Sequence, residues 1–196
     1  LPKKWQLLSK TRKQNKAFYS KCTAMPRPVE GEYGAFYKGY IELTAGDEVV
    51  ALLESTYHEM AAWLSQLPES KLHYAYSEGK WTIAQVLQHM IDTERVFAYR
   101  AMCIGRGEQQ VLPGFDENSY AAAAPAAGRK LNDLTDELLT LRKASIILFR
   151  SLAQEQSLHR VGMASGLPIS VNALGFILAG HVLHHRNVIE ARYLQG

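Results

Sequence analysis

Four stretches of this chain repeat an apolar residue every three or four positions, and the intervals between them do not. The first runs from Ala45 to Leu67, with Val49, Leu52, Leu53, Met60, Trp63, Leu64 and Leu67 on its apolar face. Thr44 is placed to cap it and Pro68 to end it. The second starts after Trp81, where Thr82 and Gln85 form a T-x-x-Q capping box, and carries Ile83, Val86, Leu87, Met90, Phe97 and Met102 until Gly105 and Gly107 stop it. The third spans Leu131 to Gln156, with Leu134, Leu138, Leu141, Ile147, Leu148 and Leu152 in phase. The fourth follows Ser170, a candidate N-cap, and runs to Tyr193.

Outside these stretches the pattern breaks. Residues 26–43 mix Pro, Gly, Tyr and Phe without a helical period and read as an extended lead-in, with Tyr33, Phe36, Tyr37 and Tyr40 packing on the body. Pro113 and Gly114 read as a turn. Ala121 to Ala127, interrupted by Pro125, reads as a short helix or irregular chain, and the segment around Gly162, Gly166 and Pro168 as a loop. Four long helices without convincing strand alternation predict an all-α four-helix bundle with long inter-helix connections.

Charge changes the picture at one end only. The chain nets +3, yet residues 1–24 carry seven positive charges and no acid, which leaves −4 over residues 25–196. Met25 reads like a natural start, so residues 1–24 read as a basic leader, an expression remnant or a mis-called upstream start, with residues 25–196 as the domain. A basic arm for nucleic acid or acidic lipid and a transit peptide are the weaker readings, so a nucleic-acid partner is not expected. No apolar run reaches the roughly 18 residues of a spanning helix, so no membrane partner is expected. The two cysteines, Cys22 and Cys103, form no C-x-x-C motif and suit reduced thiols in a cytoplasmic protein.

Candidate chemistry lies in the second and fourth helices. His181 and His185 are four residues apart in G-H-V-L-H-H-R-N, so they share one face, and they interrupt the apolar stripe of Leu174, Ile177, Leu178, Val188 and Ile189. His89 stands among Val86, Met90 and Phe97. A buried imidazole without a partner costs on the order of 1–3 kcal/mol. Three inward histidines therefore need either separate hydrogen-bond partners or one shared metal, and three imidazoles would leave a coordination position open. His184 is the rival ligand, but it stands about 60° from His181 on the helix wheel against about 40° for His185, which leaves it a supporting or exposed role. His58, His73 and His159 read as surface residues.

Asp92 and Thr93 follow His89 by one turn and are candidates to orient a ligand or a water, with an exposed charge beside Arg95 as the plainer reading of Asp92. Arg100, nearly in phase with His89, either meets an anionic substrate or pairs with a carboxylate such as Glu94 or Asp116, and pairing is preferred. Asp116, Glu117 and Tyr120 are candidates for a pocket rim. No G-x-S-x-G, Walker A, H-E-x-x-H or dinucleotide fingerprint competes.

Three segments carry a family resemblance: G-K-W-T-I-A-Q-V-L-Q-H-M-I-D-T-E-R-V-F-A-Y-R, R-G-E-Q-Q-V-L-P-G-F-D-E, and A-G-H-V-L-H-H-R-N-V-I-E-A-R-Y-L. With the intervening helices they cover nearly everything from Met25 onward, and they resemble the DinB family of DinB/YfiT-like metalloenzymes. The resemblance implies a four-helix bundle, often a homodimer, with a divalent metal on a histidine triad that falls here on His89, His181 and His185. Neutral imidazoles suit zinc or nickel, with iron as a further option, and a small-molecule substrate is expected. Relatives include thiol-dependent S-transferases, a mycothiol-dependent isomerase and metal-dependent hydrolases, so a low-molecular-weight thiol is a candidate cofactor. The expected function is thiol (S-) transfer or hydrolysis at the three-histidine site, with Asp92 the nominee for the catalytic base. The alternative is a non-catalytic, metal-stabilised or ligand-binding bundle.

Overall fold

The computed structural model of the protein describes residues 26–124, 126–154 and 156–195. The basic leader and Cys22 lie outside them. Among the described residues six α-helices and one hairpin follow in order: α1 (Lys38–Glu42), α2 (Val49–Leu64), α3 (Ile83–Gly105), α4 (Glu117–Ala123), α5 (Leu131–Gln154), the strands β1 (Val161–Ala164) and β2 (Leu167–Ser170), and α6 (Val171–Arg192). The four long helices form the bundle that the periodicity predicts.

The bundle is not a simple meander. α2 packs on α5 and α6, and α3 packs on the same two helices, so α2 faces α3 and α5 faces α6 across the diagonals. Helices that follow one another along the chain must then cross an end of the bundle, which needs a long connection. Residues 65–82 and 156–170 lie in those crossings, while α3 and α5 are neighbours joined through α4.

Local chemistry explains most helix ends. The Thr82 hydroxyl accepts from the Gln85 backbone N–H at 3.2 Å, and the Gln85 side-chain Oε1 accepts from the Thr82 N–H at 2.9 Å, completing the capping box. Ser170 caps α6 by accepting from the Ala173 N–H at 3.0 Å. The start of α2 departs from expectation. Glu48, not Thr44, is its cap, accepting from the Ala51 N–H at 2.8 Å, and Gly46 at φ +83 breaks any earlier turn. Thr44 instead donates to the Ile41 carbonyl at 2.7 Å and so closes α1.

Other expectations are corrected. The lead-in is partly helical, with a 3-10 turn at Ala35–Tyr37 running into α1. Phe36 is largely exposed, meeting Tyr37 and Tyr40 edge-on, and Ile147 and Met102 face outward although they sit in apolar stripes. Pro113 and Gly114 form no turn. Leu112 instead donates to the Met163 carbonyl at 2.8 Å and accepts from the Ser165 N–H at 3.0 Å. The loop around Gly162 to Pro168 is a two-stranded hairpin, turned at Ser165 and Gly166, both at positive φ as a tight two-residue hairpin turn requires.

Two apolar clusters fill the bundle, one around Leu53, Phe97, Phe149 and Phe176 and one around Met60, Leu87, Leu134 and Ile189. Between them lies a polar layer. Arg142 donates to both carboxylate oxygens of Glu94 at 2.9 and 2.8 Å, to the Thr56 hydroxyl at 3.0 Å and to the Leu178 carbonyl at 3.0 Å. One guanidinium thus ties α2, α3, α5 and α6 together.

Candidate metal centre

His89 sits two turns into α3, and His181 and His185 sit on successive turns of α6. Because α3 and α6 are packed neighbours, the three rings meet. The Nε2 atoms of His89 and His181 are 2.9 Å apart, and those of His185 and His181 are 3.0 Å apart. Ring centroids lie 4.4 to 4.9 Å from one another. One nitrogen from each ring falls within 4.8 Å of the other two.

Direct hydrogen bonding accounts poorly for this arrangement. A neutral imidazole carries one donor and one acceptor nitrogen. His181 Nε2 has two nitrogens against it and can satisfy them both only by sharing one lone pair or one proton. Three nitrogens aimed at a common point are instead the donor set of a divalent cation. Electrostatics agree. Burial, helped by the neighbouring His184, lowers the His89 pKa to about 4. Burial, then His89 and His184, lowers that of His185 to about 3. Burial and then His185 and His89 push His181 well below its usual range. The rings are therefore neutral at ordinary pH, with lone pairs available to a metal. The cluster fits a divalent ion.

Aromatic side chains hold the rings in place. Trp81 lies against His89 at 5.1 Å between centroids, and Tyr40 stands edge-on to His181 at 5.5 Å and to His184 at 5.2 Å. Tyr40 reaches them because α1 presses on α6 at Gly180, where a Cβ would meet the Tyr40 carbonyl oxygen at 1.9 Å. Sequence reasoning placed Tyr40 only as packing. The signal for its role was the glycine directly before His181. His184 is half-buried beside His185, while His58, His73 and His159 are exposed as expected.

A cavity of about 70 Å³ adjoins His181, and Tyr37, Tyr40, Thr93, Arg100 and Glu117 are among the residues lining it. A larger surface cavity, about 510 Å³ between the start of α2 and Leu183 and Asn187, includes none of the three histidines. Asp92 accepts from the Gln88 amide at 3.1 Å and lies 3.7 Å from Arg95; desolvation raises its carboxyl pKa, with Gln88 and Arg95 opposing. Burial and Asp116 raise that of Glu117. Of the other rim candidates, Asp116 caps α4 by accepting from the Ser119 N–H at 2.8 Å, and Tyr120 packs on Phe115. Arg100 does not pair with Glu94, which Arg142 occupies, or with Asp116.

The sequence profile of the DinB superfamily matches residues 52–189. The chain belongs to the DinB superfamily. Among solved structures, this DinB-superfamily chain is similar to YfiT from Bacillus subtilis, described as a probable metal-dependent hydrolase with an unusual four-helix bundle topology. The TM-score is 0.65 at 18% identity, over 85% of this chain and 91% of YfiT. It is also similar to the mycothiol-dependent maleylpyruvate isomerase, with a TM-score of 0.59 and 13% identity over 71% of this chain but only 58% of the isomerase. At these identities the likeness is one of fold. No curated protein sequence matches the chain. No helix among the described residues is long and apolar enough to cross a membrane.

Proposed function

We propose that this DinB-superfamily protein is a metal-dependent enzyme acting on a small molecule, with a divalent ion held by His89, His181 and His185. The observation that carries the reading is the convergence of three neutral imidazole nitrogens beside a cavity. Zinc and nickel suit three imidazoles, and iron is also compatible. When bound, such an ion supplies Lewis acidity that makes a weak acid such as water or a thiol nucleophilic near neutral pH. The protein's own part is positional. Trp81 and Tyr40 fix the ring planes, α1 shields the rings, and the cavity admits the substrate.

Hydrolysis and thiol (S-) transfer both fit this arrangement, the second with a low-molecular-weight thiol as co-substrate. Each needs a group to move a proton. Asp92 is the nominee from sequence, and Glu117 is the carboxylate that lines the cavity; burial raises the pKa of both, which suits acid–base work closer to neutral pH. A homodimer and a cytoplasmic setting belong to the same proposal on family grounds, and light scattering on purified protein tests the first. A purely structural metal site would be closed by a fourth protein ligand. No fourth His, Cys, Asp or Glu joins the three among the described residues, which favours the enzyme.

The test is metal analysis of untagged protein. Wild type and His58→Ala are expected to hold about one divalent ion per chain, and His181→Ala to lose most of it. Equal metal content in all three would refute the triad. Cobalt substitution then reads whether the coordination sphere is open, through a change in the visible spectrum on adding a thiol.

A further inference from the structure

Arg100 is one of the largest fully buried side chains in the molecule, 2% exposed. A guanidinium keeps its positive charge in proteins and is normally buried against a carboxylate. Here it has none among the described residues. It donates to the Pro113 carbonyl at 2.8 Å and the Ser165 hydroxyl at 3.1 Å, and its central carbon lies 5.2 Å from the centroid of the Phe97 ring. Its Nε has no partner. Thr93, about two turns earlier on the same helix and 2% exposed, also has a buried hydroxyl without a partner. Both residues line the cavity that His181 lines. Glu117, the acid that also lines it, is largely exposed, although partial desolvation still raises its pKa, and it makes no ion pair with Arg100.

Unsatisfied buried donors are uncommon, and two in one cavity beside an uncompensated charge describe a site for an anion. We propose that this cavity binds the anionic group of a small-molecule substrate, a carboxylate or similar oxyanion, with Arg100 and Thr93 as the recognition pair. The Arg100 fork supplies charge and geometry, and Thr93 supplies a single hydroxyl donor. The orientation of the substrate, but not the anion site itself, rests on the metal reading above. On an ideal helix the Cα atoms of His89 and Arg100 are about 16 Å apart, and a helical side chain leans back toward the N-terminus. That lean shortens the gap, and His181 lines the same cavity as Arg100, so the anion of the substrate lies toward Arg100 and its reacting end toward the histidines. Pro113 and Ser165, held by the same guanidinium, make the connection after α3 and the hairpin turn part of this site.

Two readouts test the proposal. Cobalt-substituted protein is titrated with mercaptopropionate and mercaptohexanoate, each against its neutral alcohol, mercaptopropanol or mercaptohexanol. Calorimetry of the metal-free protein with hexanoate reads the anion site with no ion present to take up the carboxylate. In wild type the carboxylate is expected to bind at least about tenfold tighter than the alcohol for one chain length. Arg100→Met is expected to bring the two within about twofold, and Thr93→Val to reduce the preference while leaving metal content unchanged. If Arg100→Met does not fold, Arg100→Lys serves, because an ammonium keeps the charge but loses the fork and should weaken the preference. No carboxylate preference in wild type, or a preference untouched by the Arg100 and Thr93 substitutions, overturns the proposal. A loss of stability with unchanged preference would likewise assign Arg100 to fastening the hairpin alone. Hexanoate binding that depends on Arg100, with a cobalt spectrum indifferent to every thiol, would leave the anion site standing and remove the open metal site.

Discussion

Glu94→Ala probes the pair at the centre of the polar layer. Arg142 is fully buried and Glu94 is 2% exposed at the side chain, so neither charge is screened by water. The substitution removes two charge-assisted hydrogen bonds of 2.9 and 2.8 Å and leaves a guanidinium with only the Thr56 hydroxyl and the Leu178 carbonyl. An uncompensated buried charge of this kind costs about 3–5 kcal/mol. For a chain of this size that lowers Tm by roughly 6–20 °C. Urea unfolding of the metal-free protein, followed by circular dichroism and tryptophan fluorescence, measures the loss. Glu54→Ala is the control, since the Glu54–Arg150 pair is half-exposed and is expected to contribute no more than about 1 kcal/mol. Replacing both partners, Glu94→Leu with Arg142→Met, is expected to recover most of the stability, because the buried charge goes with its partner. Leu178 lies one turn before His181, so the single variant should also weaken metal retention. A loss below about 1 kcal/mol, or a double variant no better than the single, would refute the account of this layer.

The metal-free protein is expected to lose stability as pH falls from 6.5 toward 4. The unfolded histidines take up protons in that window while the folded ones, with lowered pKa values, do not; His89 alone accounts for on the order of 3 kcal/mol. Thermal melts across that range check it, and a flat profile between pH 6.5 and 5 would count against buried neutral rings. Gly180→Ala is expected to cost about 1–3 kcal/mol by driving α1 off α6, and to change the near-ultraviolet dichroism of Tyr40; an unaltered melt would show that the contact is slack. Removing residues 1–24, which carry only positive charge, is expected to leave Tm and metal content nearly unchanged; a large drop in Tm would make the leader part of the domain.

Interactions within about four residues were legible without a structure. The stripes of the long helices, the Thr82–Gln85 capping box, the Ser170 cap and the common face of His181 and His185 all depend on one turn of helix, and the chain itself supplies both partners. The family motif then joined His89 to that pair. Tertiary packing decided everything that required knowing which helices are neighbours. Arg142 rather than Arg100 met Glu94, because α5 presents its guanidinium between α3 and α6 at that level. Arg100, one and a half turns further along α3, was left to the Pro113 carbonyl and the hairpin turn. Tyr40 came to the histidines only because Gly180 lets one backbone settle on another. Ile147, apolar and in phase, stayed exposed because periodicity gives a helix an apolar face without saying how wide a strip its neighbours will cover. Local hydrogen bonds and spacing are properties of a few consecutive residues. The choice of ion-pair partner, the unpaired donors and the cavity arise only when separate elements compete for the same buried space.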